Sequence, residues 1–275
     1  MIRIDLHLHS TFSDGALLPG ELVALGKKRG VSVMSLTDHD TTAGLPSFMA
    51  ACGRSGIRGV AGVELSADFP STLHILGYRI DFRSAGLEKA LESIREARNL
   101  RNRQICDRLQ SLGLHIVIED VEAEAAGDVA ARPHIARVMI RKGYVQDQRA
   151  AFSAYLGRTG RAYVPRERLS PEKCIELIRE AGGVAVLAHP VQTSQCYERV
   201  REVAGELKDA GLWGMECYSS KHDAGQIFRY LSIASGLELF PTAGSDFHGG
   251  SGPSPSLGIS VPLGMIPWAR LGVSL

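Results

Sequence analysis

Short apolar runs alternate with longer amphipathic stretches towards both ends of the chain. We predict strands over residues 31–36, 57–65, 73–78, 184–188, 213–218 and 239–243, after a first strand that starts within residues 1–4. Helices are predicted between them, over residues 18–29, 44–54, 171–180 and 224–235. This β-α-β alternation predicts an α/β fold in which a mainly parallel, barrel-like sheet has its helices on the outside.

The alternation is interrupted in the middle of the chain. One long helix rich in arginine is predicted from about residue 87 to residue 112, and it ends at Gly113. From there to about residue 163 the sequence favours short helices without strands, and the alternation resumes after Pro165. We therefore predict a barrel domain of residues 1–94 and 166–275, and a helical insert of residues 95–165 that covers the active site.

The charge and the cysteine pattern limit the class of protein. The formal net charge is +1, so there is no general basic excess to favour duplex DNA or a membrane surface. The five cysteines are scattered without a Cys-x-x-Cys pair, which is typical of a reducing compartment rather than of a disulfide framework. The start of the chain has no apolar signal region, and no run reaches membrane-spanning length. We therefore expect a cytoplasmic protein.

Metal-binding side chains are concentrated where the predicted strands end. His7, His9, His39, Glu64, His189, Asp246 and His248 stand at or just beyond the C-terminal ends of predicted strands, Asp14 follows in the first loop, and His74 opens the short fourth strand. In parallel α/β barrels the loops at this end build the active site. A single histidine is usually an ordinary hydrogen-bonded residue, but six of the nine histidines belong to this set, which chance does not readily explain.

This set of side chains predicts a metal cluster. His7 and His9 point to the same side of an extended chain, because side chains alternate along a strand. Imidazole and carboxylate ligands together suit Mn, Fe or Zn. Nine protein ligands exceed what a single ion needs, so we predict two or three divalent metal ions as cofactors.

Four motifs and one acidic residue resemble those of the PHP (polymerase and histidinol phosphatase) family. They are DLHLHSTFSDG (5–15), TDHD (37–40), Glu64 after a strand, His189-Pro190, and SDFH (245–248), and they occur in the family's order along most of the chain. The resemblance implies a distorted (β/α)7 TIM-like barrel with a trinuclear metal site. Together with the predicted insert, this gives an α/β barrel with a small helical insertion domain.

The resemblance also implies how the nine side chains divide among the ions. One ion would be held by His7, His9, Glu64 and Asp246. A second would be held by Glu64, His74 and His189, with Glu64 bridging the two ions. A third would be held by Asp14, His39 and His248.

Metal-assisted hydrolysis explains why phosphate ester chemistry needs such a cluster. Metal ions neutralise the charge that repels hydroxide from a phosphate ester, and they lower the pKa of bound water. The catalytic nucleophile would be a metal-bound hydroxide near Glu64, without a protein nucleophile. Asp38 and Asp40 flank His39, and three roles stay open for them: orienting ligands, protonating the leaving group, or capping the strand end.

The insert provides a prediction about the substrate. Arg132-Pro133-His134 stands at a predicted helix start, where free backbone N–H groups and the helix dipole favour an anion. Arg132 and His134 would bind a second phosphate there; the alternative is an ordinary helix start with a surface arginine.

The long helix carries a second candidate phosphate site. Arg98, Arg101 and Asn102 resemble the Arg-x-x-Arg-Asn pattern of the 3′,5′-nucleotide bisphosphate phosphatases, a subgroup that includes enzymes with 5′-to-3′ exoribonuclease activity. These residues lie three or four positions apart on one helix and could close over a phosphate. A solvated basic face is the alternative.

Two classes of function follow. The first is a metal-dependent phosphoesterase that removes the 3′-phosphate of nucleoside 3′,5′-bisphosphates and also trims short 5′-phosphorylated RNA. A related alternative is a phosphatase for a small monoester such as histidinol phosphate, which needs no second anion site. The second class is a non-catalytic, metal-stabilised nucleic-acid-binding module. We expect a small nucleotide or short RNA as partner, without duplex DNA or a membrane, and the oligomeric state stays open.

Overall fold

The computed structural model describes residues 1–125, 130–165, 168–249 and 256–274, and it confirms the α/β barrel expected from the sequence. Within these ranges eight strands form one sheet: β1 (Ile2–Leu8), β2 (Val33–Leu36), β3 (Arg58–Ser66), β4 (His74–Tyr78), β5 (Val184–Leu187), β6 (Gly214–Ser219), β7 (Phe240–Gly244) and β8 (Ile259–Val261). The order across the sheet is β7-β6-β5-β4-β3-β2-β1-β8.

The sheet closes between β1 and the residues that follow β7. Leu8 forms a parallel bridge with Phe247, and the His9 amide donates to the Phe247 carbonyl at 3.0 Å. Near its start, over residues 2–4, β1 pairs instead with β8, which runs antiparallel to it. The edge of β1 opposite β2 therefore has a different neighbour at each end, and this makes the barrel irregular.

The mainly parallel sheet expected from the sequence contains, besides β8, the reversed strand β4. This strand is antiparallel to both β3 and β5, whereas the pairs β1–β2, β2–β3, β5–β6 and β6–β7 are parallel. The connection from β3 to β4 spans only residues 67–73, which is too short for a helical crossover between parallel strands. Because of the reversal, the start of β4, with His74, lies beside the C-terminal end of β3.

The helices lie outside the barrel or in the middle of the chain. They are α1 (Pro19–Lys28), α2 (Leu45–Ser55), α3 (Ala85–Ser111), α4 (Ile118–Ala125), α5 (Arg132–Arg141), α6 (Gln148–Ala151), α7 (Pro171–Glu180), α8 (Pro190–Thr193), α9 (Tyr197–Asp209) and α10 (Ala224–Gly236). The π-helical turn Phe152–Leu156 continues α6, and 3₁₀ turns occur at Leu263–Met265 and Trp268–Leu271. A helix that could cross the apolar part of a membrane is not found in the described ranges.

Helix α9 was not predicted from the sequence, although its signal is present there. The buried residues Val200, Val203, Ala204 and Leu207 are spaced three or four positions apart, which is the spacing of one helical face. The helix follows Cys196 and packs its apolar face into the layer between the sheet and the outer helices.

Alternation along the strands separates two apolar layers. In β3, Ala61, Val63 and Leu65 pack in the layer between the sheet and the helices, whereas Val60 belongs to a second cluster. That second cluster fills the barrel interior with residues of β1 to β8 and includes Ile266, Leu271 and Val273 from the end of the chain. Glu64 lies on the same face of β3 as Val60, nearer the C-terminal end of the strand, so the interior becomes polar at that end.

A further apolar cluster lies in the middle of the chain. It is formed by α3, α4, α5 and the π-helical turn, with Ile116, Ile135 and Leu156 fully buried. Helix α3 contributes Leu87 to the barrel layer and Ile105 to this cluster. The domain boundary predicted at residue 95 thus falls inside a continuous helix, and residues 166–167, beside the other boundary, lie outside the described residues.

Candidate metal centre and adjoining cavity

The loop after β1 folds back on itself and returns a carboxylate to the strand end. The amides of Ser13 and Gly15 donate to the Ser10 carbonyl at 3.1 and 2.9 Å. A Cβ atom at position 15 would lie 2.3 Å from the His9 carbonyl oxygen, so the loop can approach this closely only with glycine there. The result is that Asp14 Oδ1 lies 3.8 Å from His9 Nδ1.

The structure brings the nine predicted ligands together around Glu64. The Glu64 carboxylate lies 3.3 Å from His7 Nε2, 3.2 Å from His9 Nε2, 3.0 Å from His39 Nδ1, 2.8 Å from His74 Nδ1 and 3.1 Å from His189 Nε2. On one flank, Asp246 Oδ1 is 3.1 Å from His9 Nε2. On the other, Asp14 Oδ1 is 3.2 Å from His248 Nε2.

Among the described residues, three sets of these side chains have ligand atoms close enough to share an ion. They are His7, His9, Glu64 and Asp246; His9, Asp14, His39 and His248; and His39, Glu64 and His74. The first set is the one implied by the family resemblance. The second adds His9 to the implied set of Asp14, His39 and His248. The third pairs Glu64 and His74 with His39 in place of His189.

Unpaired buried atoms show that these residues fit a cation. Within the described part of the chain, six polar atoms of the cluster are buried without a hydrogen-bond partner: Nε2 of His7, both ring nitrogens of His9, Nδ1 of His39, Oε2 of Glu64 and Nδ1 of His189. Buried polar atoms normally find a partner, because leaving one without a partner costs free energy. Imidazole nitrogens and carboxylate oxygens that converge in this way are the donors that divalent transition metals prefer.

The pKa values of the cluster reflect its mixture of imidazoles and carboxylates. Burial acts to raise the pKa of Glu64, but the surrounding His39, His7 and His74 hold it well below its usual range. Burial acts to lower the pKa of His9, but Asp246 and Glu64 outweigh it and raise that pKa to about 10. The carboxylates therefore stay ionised, which is the form that binds divalent cations.

Unusual backbone angles coincide with the cluster. Asp40, His189 and Asp246 have positive φ values of 54°, 23° and 55°, a region that residues other than glycine seldom occupy. Such residues persist where the surrounding structure holds them, and they occur most often at functional sites.

Asp38 and Asp40 hold neighbouring backbone segments in place. Asp38 is buried and accepts hydrogen bonds from the Ser10 amide at 2.7 Å and from the Ser10 and Ser13 hydroxyls, both at 2.6 Å. It thereby fixes the loop that carries Asp14. Asp40 accepts a hydrogen bond from the Ser66 amide at 3.3 Å and pairs with Arg98 of α3. Both contacts favour orienting ligands among the three roles left open by the sequence.

Three polar residues of the centre were given no role by the sequence analysis. Asp5 is buried and accepts hydrogen bonds from the Ser245 amide at 2.9 Å and hydroxyl at 2.6 Å, and burial raises its pKa to about 6. Lys221 forms an ion pair with Asp246. Glu216 is fully buried and contacts His7. For both Asp5 and Glu216 the missed signal was a carboxylate within a predicted or adjoining strand whose neighbouring residues are largely buried.

A cavity of about 330 Å³ opens beside the cluster. Its walls combine cluster residues with arginines: it is lined by Asp14, His39, Ser66, Thr72, His74, Arg98, Arg101, Ala131, Arg132, Pro133, Phe152, Arg168 and Gln192. The lining thus brings imidazole and carboxylate groups of Asp14, His39 and His74, here called the barrel wall, together with the guanidinium groups of Arg98, Arg101, Arg132 and Arg168, here called the arginine wall. Neither Asp38 nor Asp40 is among the described residues of this lining, which argues against either as the acid for a leaving group.

The predicted substrate residues do not all reach the cavity. Arg98, Arg101 and Arg132 line it, and Arg132 donates to the Leu156 carbonyl at 3.0 Å. His134 is buried, and its Nδ1 accepts from the Ala131 amide at 2.9 Å, so it caps helix α5 instead of facing an anion. Burial also lowers the pKa of His134 to about 4, which keeps the ring neutral.

Asn102 and Arg168 also differ from what the sequence predicted. Asn102 is buried and donates to the Ala130 carbonyl at 2.8 Å, so it supports the segment before α5 and is not part of the described lining. Arg168 lines the cavity although it lies beyond the predicted insert. Burial and the nearby Arg98 lower the pKa of Arg168. Its only signal in the sequence was a basic residue close to the domain boundary.

Comparisons with known proteins agree with this geometry. A model of the PHP domain matches residues 5–210. A 5′-3′ exoribonuclease from Haemophilus influenzae is 35% identical over 250 residues, 90% of either chain. A 3′,5′-nucleoside bisphosphate phosphatase from Chromobacterium violaceum is 35% identical over 250 residues, 90% of this chain and 88% of the relative. The solved structure of an amidohydrolase from C. violaceum with bound sulfate has a TM-score of 0.89 at 33% identity, covering 98% of this chain and 95% of that one.

Proposed function

This chain belongs to the PHP domain family and is a metal-dependent phosphoesterase, and we propose that it removes the 3′-phosphate of nucleoside 3′,5′-bisphosphates to leave the 5′-nucleotide. We propose short 5′-phosphorylated RNA as a further substrate, since an exoribonuclease is an equally similar relative. The observation that carries the proposal is a single cavity lined both by Asp14, His39 and His74 of the cluster and by four arginines.

The nine side chains around Glu64 would hold two or three divalent ions, for which Mn, Fe and Zn are all suitable. The proposed ligands are His7, His9, Asp14, His39, Glu64, His74, His189, Asp246 and His248. When bound, such ions neutralise phosphate charge and activate water for attack on phosphorus. The carboxylates contribute by staying ionised, which the surrounding imidazoles favour in the case of Glu64.

The arginine wall would bind the phosphate that is not cleaved. Guanidinium groups bind phosphate through two parallel N–H···O contacts, which fix orientation as well as position. Arg132 is anchored to the Leu156 carbonyl at 3.0 Å, and its guanidinium lies 5.5 Å from the centre of the Phe152 ring. A nucleotide held there by its 5′-phosphate would present the 3′-phosphate to the opposite wall. This positioning would convert binding energy into rate.

We further propose that residues 95–165 act as one unit that covers the site. Their apolar cluster is separate from the barrel layers, and they supply Arg98, Arg101, Arg132 and Phe152 to the cavity. The ion pair between Arg98 and Asp40 joins this unit to the loop that carries His39. The substrate-binding wall is therefore linked directly to the metal-binding wall.

Phosphate release with added Mn²⁺ tests the proposal. Adenosine 3′,5′-bisphosphate, AMP and histidinol phosphate would be compared at equal concentration, with a short 5′-phosphorylated RNA as a fourth substrate. We expect the bisphosphate to be preferred, with AMP as its product, and we expect EDTA to abolish release.

The other outcomes separate the alternative functions. Preference for histidinol phosphate would keep the metal chemistry and remove the proposed role of the arginine wall. Stable RNA binding without hydrolysis in Mn²⁺ would point to a non-catalytic module. Full turnover in rigorously metal-free protein would contradict the proposed use of the cluster.

A further inference from the structure

A buried glutamate in the middle of strand β6 contacts two of the proposed ligands at once. Glu216 is fully buried, and its neighbours Met215 and Cys217 pack in the layer towards the helices. Its Oε1 lies 3.0 Å from Nδ1 of His7, and its Oε2 accepts the backbone N–H of His189 at 2.8 Å. Each carboxylate oxygen thus contacts a different ligand residue, one on β1 and the other two residues beyond the end of β5.

The two ring nitrogens of His7 face different groups. Nε2 points into the cluster, 3.3 Å from Glu64 Oε2 and 3.4 Å from Asp246 Oδ1. Nδ1 lies 3.0 Å from Oε1 of Glu216, which is not among the nine proposed ligands. A carboxylate can only accept, so a hydrogen on Nδ1 is required, and the lone pair of a neutral imidazole then lies on Nε2.

The strand beside β6 leaves no room for this pair to move. A Cβ atom at Gly244 of β7 would lie 2.2 Å from Cβ of His7 and 2.6 Å from Oε1 of Glu216. Such distances do not occur between non-bonded atoms, so the absence of a side chain at this position is what allows the contact. Cβ of His7 and the Glu216 carboxylate are therefore packed directly against the backbone of β7 at Gly244.

The contact with His189 stabilises an unusual backbone conformation. His189 has φ of 23° and ψ of 67°, and it is followed by Pro190, which starts α8. A residue other than glycine seldom adopts such angles without support from its surroundings. The hydrogen bond from its amide to Glu216 supplies part of that support and sets the direction in which the imidazole leaves the backbone.

We propose that Glu216 is a positioning residue that orients His7 and His189 for the same metal cluster. It keeps hydrogen on Nδ1 of His7, leaves Nε2 for the ion, and fixes the backbone from which His189 projects. This inference rests on the proposed role of both histidines as ligands. Partners of this kind behind metal ligands typically change metal affinity by about 10- to 100-fold.

The test is a titration of metal-free protein with Mn²⁺ alone, comparing wild type with Glu216→Gln. The two donors contact different carboxylate oxygens, and glutamine replaces one of these oxygens with an NH₂ group that can only donate. We expect one class of Mn²⁺ site to weaken by about 10- to 100-fold, while the site that contains Asp14 and His248 keeps its affinity. Glu206→Gln is the matched control, because it makes the same chemical change at an exposed position on α9. Glu206 lies 3.8 Å from Arg199, away from the cluster.

Nitrogen-15 NMR of the histidines provides a second readout that does not depend on the variant. In wild-type protein loaded with Zn²⁺, which is diamagnetic, we expect hydrogen on Nδ1 of His7 and the ion on Nε2. The opposite assignment would overturn the inference, as would a Glu216→Gln protein with unchanged Mn²⁺ affinities. A wild-type protein that binds no Mn²⁺ or Zn²⁺ would instead contradict the proposed function, so the two failures are distinguishable.

Discussion

His9 at the metal cluster and His134 in the insert lie in different electrostatic surroundings. His9 and His134 are both buried, and burial alone would lower the pKa of each. Asp246 and Glu64 nevertheless raise the pKa of His9 to about 10, whereas burial, with Arg137 and Arg98 nearby, leaves that of His134 at about 4. The same side chain is thus adapted to carboxylates in one region and to arginines in the other.

The different residues that line the cavity explain how it can bind ions of both signs. The barrel wall is built from groups that can give up protons and accept cations. The arginine wall consists of guanidinium groups, which stay protonated and bind anions. Under the proposed function, a substrate with two phosphates would be bound at one end and attacked at the other.

Replacing the residue at the centre of the metal cluster gives the largest expected effect. Glu64→Gln keeps the shape of the side chain but removes the negative charge that five imidazoles surround. We expect phosphate release to fall at least ~1,000-fold, because metal ions contribute several kcal/mol of transition-state stabilisation. Release would be measured with every substrate, together with the Mn²⁺ content of the protein.

The control for this substitution is Glu206→Gln, the same chemical change at an exposed position of α9. It should leave both turnover and metal content unchanged. A Glu64→Gln protein that retains full turnover would show that the barrel wall does not bind the catalytic ions. This result would contradict the division of the cavity into a cation-binding and an anion-binding wall.

A substitution in the arginine wall should lower turnover of some substrates more than of others. Arg132→Ala removes a guanidinium that lines the cavity and is not among the proposed metal ligands. We expect kcat/KM for adenosine 3′,5′-bisphosphate to fall about 30-fold. This is the typical effect of losing a charge-assisted contact with phosphate. Turnover of AMP and histidinol phosphate, which have no second phosphate, should change far less.

Arg137→Ala is the matched control on the same helix. Arg137 is exposed and donates to Glu124 at 3.1 Å, away from the cavity lining. Its loss should leave the preference among substrates unchanged. An equal loss for bisphosphate and monoesters in Arg132→Ala would remove the proposed role of the insert in selecting the substrate.

The barrel was the more predictable of the two regions. Apolar strands that end in His, Asp or Glu predict both a parallel α/β fold and a shared site, because the C-terminal ends of parallel strands lie together. His74 lay at the start of its strand, and only the reversed direction of β4 explains its place in the cluster. Glu216 escaped notice because a sequence does not reveal which polar residue of a buried strand faces another strand's ligand.

The arginine wall was harder to predict, since an arginine in a helix can face solvent, a phosphate or a carboxylate. Arg98 illustrates this: it lines the cavity and also pairs with Asp40. Arg168 lines the cavity although it lies outside the segment where anion-binding residues were expected. For His134 the position was informative but the role was not, since a helix start offers amides both to anions and to side-chain caps.

The pH dependence of stability tests whether His134 is a cap or an anion-binding group. Its folded pKa of about 4 lies below the unfolded value near 6.5, so the unfolded chain takes up the proton first as pH falls. The stabilising contribution is therefore complete above pH ~6.5 and is lost towards pH 4, and by pH 5 the loss is about 2 kcal/mol.

Glutamine at this position of a helix can still accept from the Ala131 amide but does not titrate. The free energy of unfolding would be measured in urea, with EDTA, at pH 7 and pH 5. Between these pH values His134→Gln should lose about 2 kcal/mol less of this free energy than wild type. The control His115→Gln, at an exposed position, should lose as much as wild type. If His134→Gln also matched wild type, the imidazole would be free to take up a proton in the folded protein, and a direct role in binding phosphate would replace the cap.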